Sequence, residues 1–104
     1  MKMNLVIMSG RLANEAEVIS AGENTVAKFS LAVEGYKKDE VIFVDCECWG
    51  KRGESLAQYN KKGDQLLIRG TLKINKWTDD EDRTQRKHLI NVDDWEFGQR
   101  KRED

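Results

Sequence analysis

The segment Ile42-Phe43-Val44-Asp45-Cys46-Glu47-Cys48-Trp49-Gly50-Lys51 alternates in residue type with a period of two, which predicts a β-strand. Successive strand side chains point to opposite sides, so Ile42, Val44, Cys46 and Cys48 share one face while Phe43, Asp45, Glu47 and Trp49 share the other. The first set suits a core. The second carries two carboxylates, which are rarely fully buried without partners, so this face is expected to meet water and to carry Phe43 and Trp49 out with it. Two large aromatics about 20 Å apart on a wet face forgo the stabilisation of burial. A flat ligand, a protein partner or a loop folding over the face would account for them.

The flanking chain is read in the same way. Asn4 to Leu12 is a strand with Val6 and Met8 on one face and Leu5 and Ile7 on the other. A strand apolar on both faces needs two covers, and in a small domain the second is expected to be another copy of the chain, which makes Leu5 and Ile7 the candidate homo-oligomer contact. Cover by the chain's own helix is the alternative. Ala13 to Asn24 is polar and ends in the turn signal Ala21-Gly22-Glu23-Asn24. Thr25 to Tyr36 alternates, with Ala27, Phe29, Leu31 and Val33 inward and Lys28, Ser30, Ala32 and Glu34 outward; Tyr36 joins Lys28 outside if the pattern persists. Lys37 to Glu40 is a charged loop.

After the central strand, Gly53 to Lys62 lacks alternation, has Leu56 and Tyr59 at helical spacing and stops at Gly63, which predicts one short helix. Leu66 to Trp77 is a strand whose apolar parity is Leu66, Ile68, Leu72 and Ile74, with Gly70 where it must bend. Its other parity, Leu67, Arg69, Thr71, Lys73, Asn75 and Trp77, is basic and ends in an aromatic. Thr78 to Lys87 reads as a charged connection containing Arg83, Arg86 and Lys87, and His88 to Phe97 as a last strand with a bulge near Asp93-Asp94. Three strands, one helix and two strands make an all-β chain with one short helix. The layout is that of the OB-fold, a five-stranded Greek-key barrel that binds oligonucleotides across one face.

Composition narrows the function. At 104 residues the chain is one domain, and a net charge of -1 makes it no general magnet for phosphate, so any nucleic-acid role must rest on local segregation of charge. The apolar run Leu5 to Met8 is too short for a signal peptide or a membrane span, so the cytoplasm is expected and no membrane partner. Cys46 and Cys48 with a single His do not make a metal site and are expected to be buried free thiols. The run Asp79-Asp80-Glu81-Asp82 reads as solvated charge. Neither a cofactor nor a catalytic constellation is visible.

Four blocks, in register, carry a family resemblance over nearly the whole length. Asn4-Leu5-Val6-Ile7-Met8-Ser9-Gly10-Arg11-Leu12, Val26-Ala27-Lys28-Phe29-Ser30-Leu31-Ala32-Val33, Phe43-Val44-Asp45-Cys46-Glu47-Cys48-Trp49, and Trp77 following Lys76 are similar to the DNA-binding domain of bacterial single-stranded DNA-binding proteins. The resemblance implies an OB-fold over residues 1–98 with a short charged tail over 99–104, a homotetramer, sequence-independent binding of single-stranded DNA in replication, recombination or repair, a nucleoid-associated location and no catalysis. By position, Phe43, Trp49 and Trp77 would stack on bases, with Tyr36 near a further stacking position, and Arg11, Lys28, Arg69, Lys73 and Lys76 would track phosphates.

The chain also departs from the family pattern. Glu15-Ala16 stands where an Asp-Pro pair is usual, and the loop after Trp77 lacks the usual Gly turn. Asp45 and Glu47 set negative charge between two platform aromatics, which should repel phosphate unless bases lie there. Gly98 to Asp104 ends the chain without a Gly- and Pro-rich linker and an acidic, Phe-terminated tip, so tail-mediated recruitment of replication proteins is not expected. The alternative function is a primosome-type OB-fold adaptor that binds proteins as well as DNA.

Overall fold

The computed structural model describes residues 1–98; the charged tail expected over 99–104 lies outside the described residues. The elements run β1 (Val6–Leu12), β2 (Glu17–Ala21), β3 (Asn24–Glu34), β4 (Val41–Trp49), α1 (Gly50–Tyr59), β5 (Gln65–Thr78) and β6 (Thr84–Phe97). The sheet order β1-β5-β6-β4-β3 returns on itself, because Arg11 and Leu12 of β1 also pair with Ala32 and Leu31 of β3. Five strands therefore close in a ring with the helix after β4, the OB-fold layout expected from the sequence. The β4–β6 contact is parallel, and the other pairings are antiparallel.

One strand was not expected. Glu17–Ala21 pairs with β3 from Lys28 to Asn24 on the outer edge of the sheet, through a two-residue turn at Gly22-Glu23 in which Gly22 takes φ 67°. None of its residues is buried, so hydrophobic alternation has nothing to mark; the strand is held by its ladder with β3.

Inward alternation fills the ring. Leu12, Phe29, Leu31, Cys46, Cys48, Leu66, Ile68, Ile90, Val92 and Trp95 form one core cluster with Leu56 of the helix, and Val6, Met8, Val33 and Val44 lean on it. The expected bulge is present. Arg69 pairs with Asp94 and the next residue, Gly70, with Val92, which leaves Asp93 as the extra residue. A Cβ on Gly70 would overlap the Asn91 carbonyl oxygen, so the bend requires glycine.

The apolar parity of β5 is buried only in its first half. Leu66 and Ile68 lie in the core, whereas Leu72 and Ile74 are exposed, as is Ile42 at the start of β4. The reason is topological: β1 pairs with β5 only as far as Gly70, and the β4 ladder with β6 is confined to Cys46 and Glu47. Beyond those points β5 and β6 form a two-stranded arm that no third strand covers. Its turn is also shorter than the sequence suggested. Arg86 and Lys87 belong to β6, and the loop is closed by Asp79, whose Oδ1 accepts the Arg83 and Glu81 N–H groups. The Arg83 N–H first, then the Gln85 side-chain amide and the Glu81 N–H, hold the Asp79 carboxyl below its usual range.

The helix starts and stops three residues before the expected bounds. Gly50, with φ 72°, turns the chain out of β4, and Gly53 sits inside the helix where a Cβ would overlap the Cys48 carbonyl. Asn60 ends it by donating both its N–H and Nδ2 to the Leu56 carbonyl, at 3.1 and 3.0 Å. Lys61, Lys62 and Gly63 follow the helix and do not close it. Arg52 then ties the first turn to β6: it ion-pairs with Asp94, donates to the Trp95 carbonyl and stacks on the Trp95 ring, while Trp95 Nε1 donates to the Arg52 carbonyl at 2.9 Å. This latch fixes the end of β4.

Candidate nucleic-acid interface

Register decides which outward side chains meet. β4 contributes Phe43, Asp45, Glu47 and Trp49, and opposite them on β3 stand Ala32, Ser30, Lys28 and a buried Val26. On the other flank Glu47 is level with Asn91 of β6, and Asn91 with Thr71 of β5. Counting outward by twos along the arm adds Lys73, Asn75 and Trp77 on β5, and Leu89, Lys87 and Gln85 on β6. One continuous face therefore runs from β3 across β4 and out along the arm.

Three aromatics stand on it. Phe43 is 68% exposed, Trp49 41% and Trp77 49%. Phe43 and Trp49 lie at opposite ends of β4, and Trp77 sits near the arm's turn. Tyr36 is fully exposed, in the bend between β3 and β4.

The acids between the aromatics are paired. Lys73 Nζ lies 3.1 Å from Glu47 Oε1, and Lys87 Nζ 3.3 Å from Asp45 Oδ2, each reaching from the arm to β4. Glu47 differs from expectation: its parity is outward, yet it is 6% exposed. Its carboxylate escapes the cost of burial by accepting from Lys73 and from Trp49 Nε1 at 3.3 Å. Between the strands a cleft of about 290 Å³ is lined by Lys28, Asp45, Glu47, Asn75 and Lys87. Its walls can offer both cations and hydrogen-bond acceptors to a ligand.

The candidate phosphate residues divide. Lys28 and Lys73 lie on the face with Phe43 and Trp49. Lys76 occupies the opposite parity from Trp77, on the arm's other side with Ile74 and Leu72. Arg69 precedes the bend at Gly70 and is level with Ile7 of β1 beside Asp94, away from β4. Arg11 lies at the far end of β1 and donates to the Gly63 carbonyl at 3.1 Å. Leu5 and Ile7 are both exposed in the single chain, while Val6 and Met8, which alternate with them, face the core.

Lys87 is a face residue that sequence reasoning leaves in a loop, and Asn75 is one that it places on this parity without a role. The signal for Lys87 was its even spacing from Leu89, hidden because the last strand was started at His88. Beneath the face, Cys46 and Cys48 are free, buried thiols. Burial, with Asp45 adding to it, pushes the Cys46 thiol up to about 12, and burial pushes Cys48 to about 11. Among the described residues, no group of three or more His, Cys, Asp and Glu is placed to hold a metal, and no helix is long and apolar enough to cross a membrane.

Residues 3–98 match the model of the single-strand binding protein family. The chain is similar to the single-stranded DNA-binding protein of Clostridium perfringens, 44% identical over 78 residues that cover 72% of this chain and 52% of that protein. It is similar as well to that of Wolinella succinogenes, 33% identical over 99 residues, 86% of this chain and 60% of the other. A third, single-stranded DNA-binding protein 1 of Synechocystis, is 39% identical over 84 residues, 76% of this chain and 69% of the other. The chain spans about half the length of the first two relatives.

Proposed function

The chain belongs to the single-strand binding protein family, and from that premise we propose that it binds single-stranded DNA without sequence preference across the β4 and arm face. Bases stack on Phe43, Trp49 and Trp77, with Tyr36 reaching in from its loop, and Lys28 and Lys73 meet the phosphates between them. Arg11, Arg69 and Lys76 extend the basic track where a longer strand wraps around the ring.

The observation that carries this reading is the joint exposure of three aromatics on a face that also bears lysines. Every base has a π face, so a platform of this kind is indifferent to sequence, and each stacked base is worth about 1–3 kcal/mol by alanine substitution. Lysines add affinity through counterion release, which falls as salt rises. We further propose that Leu5 and Ile7 join copies of the chain in a homotetramer, and that the assembly coats exposed strands during replication, recombination and repair on cytoplasmic, nucleoid DNA.

The alternative, an adaptor that uses the aromatic face for a protein, draws on the pairing of Lys73 and Lys87 with acids of β4, which lowers the positive charge offered to DNA. Tryptophan fluorescence separates the two. Titration with oligo-dT is expected to quench the emission, less so at higher salt, while a matching duplex leaves it unchanged. Absence of quenching and of binding by the single strand would overturn the DNA-binding reading in favour of the adaptor.

A further inference from the structure

Glu47 is a charged side chain almost wholly buried in the middle of an otherwise accessible face. Two donors converge on one of its atoms: Trp49 Nε1 at 3.3 Å and Lys73 Nζ at 3.1 Å from Oε1. Trp49 sits two residues along the same strand, and Lys73 comes from the arm, so a single oxygen joins the stacking strand to the arm.

We propose that Glu47 is a positioning residue of the DNA face, whose Oε1 holds the Trp49 ring and the Lys73 ammonium together, so that base stacking on Trp49 and phosphate capture by Lys73 act as one unit. The inference rests on the DNA-binding reading above. An indole offers only its N–H as donor, so an acceptor at a fixed place sets the tilt of a half-exposed ring that core packing alone does not hold. The acceptor is itself fixed, because burial and the Lys73 ammonium at 3.1 Å leave its carboxylate little room to move. Lys73, with a long stem and many rotamers, is ordered in advance by the same oxygen, which lowers the entropy lost when it meets a phosphate. Groups placed by one shared atom are expected to behave non-additively.

The test is a double-mutant cycle on oligo-dT affinity, with folding of each variant checked by circular dichroism. Removing either Trp49 or Lys73 already frees the other from its place. The double variant Trp49→Ala with Lys73→Ala is thus expected to bind at least about threefold more tightly than the product of the single losses predicts. In a Glu47→Leu background the two losses are expected to multiply. Losses that multiply in the otherwise wild-type chain would overturn the coupling while leaving DNA binding intact; a wild-type chain that binds no single strand would overturn both. A second readout needs no DNA. The Trp49 indole N–H resonance is expected to move upfield in Glu47→Leu and to stay near its wild-type position in Glu47→Gln, which keeps an acceptor oxygen, with the Trp77 resonance unmoved in both. An unshifted Trp49 resonance in Glu47→Leu would overturn the proposal.

Discussion

Lys87 Nζ lies 3.3 Å from Asp45 Oδ2, so a lysine of the arm is held by a carboxylate of the strand on which Phe43 and Trp49 stand. Both side chains are about half exposed, and such pairs contribute little to stability. Their consequence is for binding. Asp45→Asn frees Lys87 and removes a negative charge from the face, so affinity for oligo-dT is expected to rise about two- to fivefold. The salt dependence is expected to steepen by up to about 0.7 in log-log slope. Equal or weaker binding in a salt titration would place the strand away from Asp45.

Phe43 is two-thirds exposed, so its ring contributes little to the core. Phe43→Ala is expected to weaken single-strand binding by about 1–3 kcal/mol and to leave the melting temperature close to that of the unmodified chain. Trp77→Ala is expected to do the same from the arm. Calorimetric titration beside thermal melting checks both, and unchanged affinity in the two variants would remove the platform from the reading.

Leu5 and Ile7 expose most of their apolar surface in the single chain. Ile7→Glu is expected to lower the mass measured by sedimentation equilibrium while leaving the far-ultraviolet circular dichroism unchanged. An unaltered mass, or a wild-type chain already monomeric, would take β1 out of any interface.

Gly70→Ala sets a methyl group against the Asn91 carbonyl at the bend of β5. Relief requires the bulge to open, and overpacking of this kind costs about 1–3 kcal/mol. The melting temperature is expected to fall accordingly. A variant as stable as the parent would show that the arm can re-register without cost.

Burial pushes the Cys46 and Cys48 thiols up from 9.0 to about 12 and about 11 in the folded chain. Between those values the unfolded chain has lost protons that the native one retains, so stability is full below about pH 9 and falls as pH rises towards 11 and 12. Denaturant midpoints are expected to drop over that range, and less so in Cys48→Ala. The same burial predicts slow alkylation of the native thiols and fast alkylation after unfolding.

Strand β4 was legible as a strand because its residue types alternate over Val44 to Trp49, although Glu47 is buried against its parity, and the bulge at Asp93-Asp94 was legible because two acids interrupt a buried parity. β2 was not, since no burial patterns it. The exposure of Leu72 and Ile74 was not either: parity says which residues share a face, and whether another strand covers that face depends on where β1 and β4 stop pairing.

By itself the sequence determined the succession of the five ring strands along the chain, the parity sets within each and the aromatics that stand on β4 and β5, because each of these follows from local alternation. Only the tertiary structure decided which charges meet. Glu47 with Lys73 and Asp45 with Lys87 are 26 and 42 positions apart in the chain, and they are joined by the closure of the ring, which lays the arm beside β4. The burial of Glu47 follows from the same closure, since a carboxylate can leave water only once its distant donors have arrived.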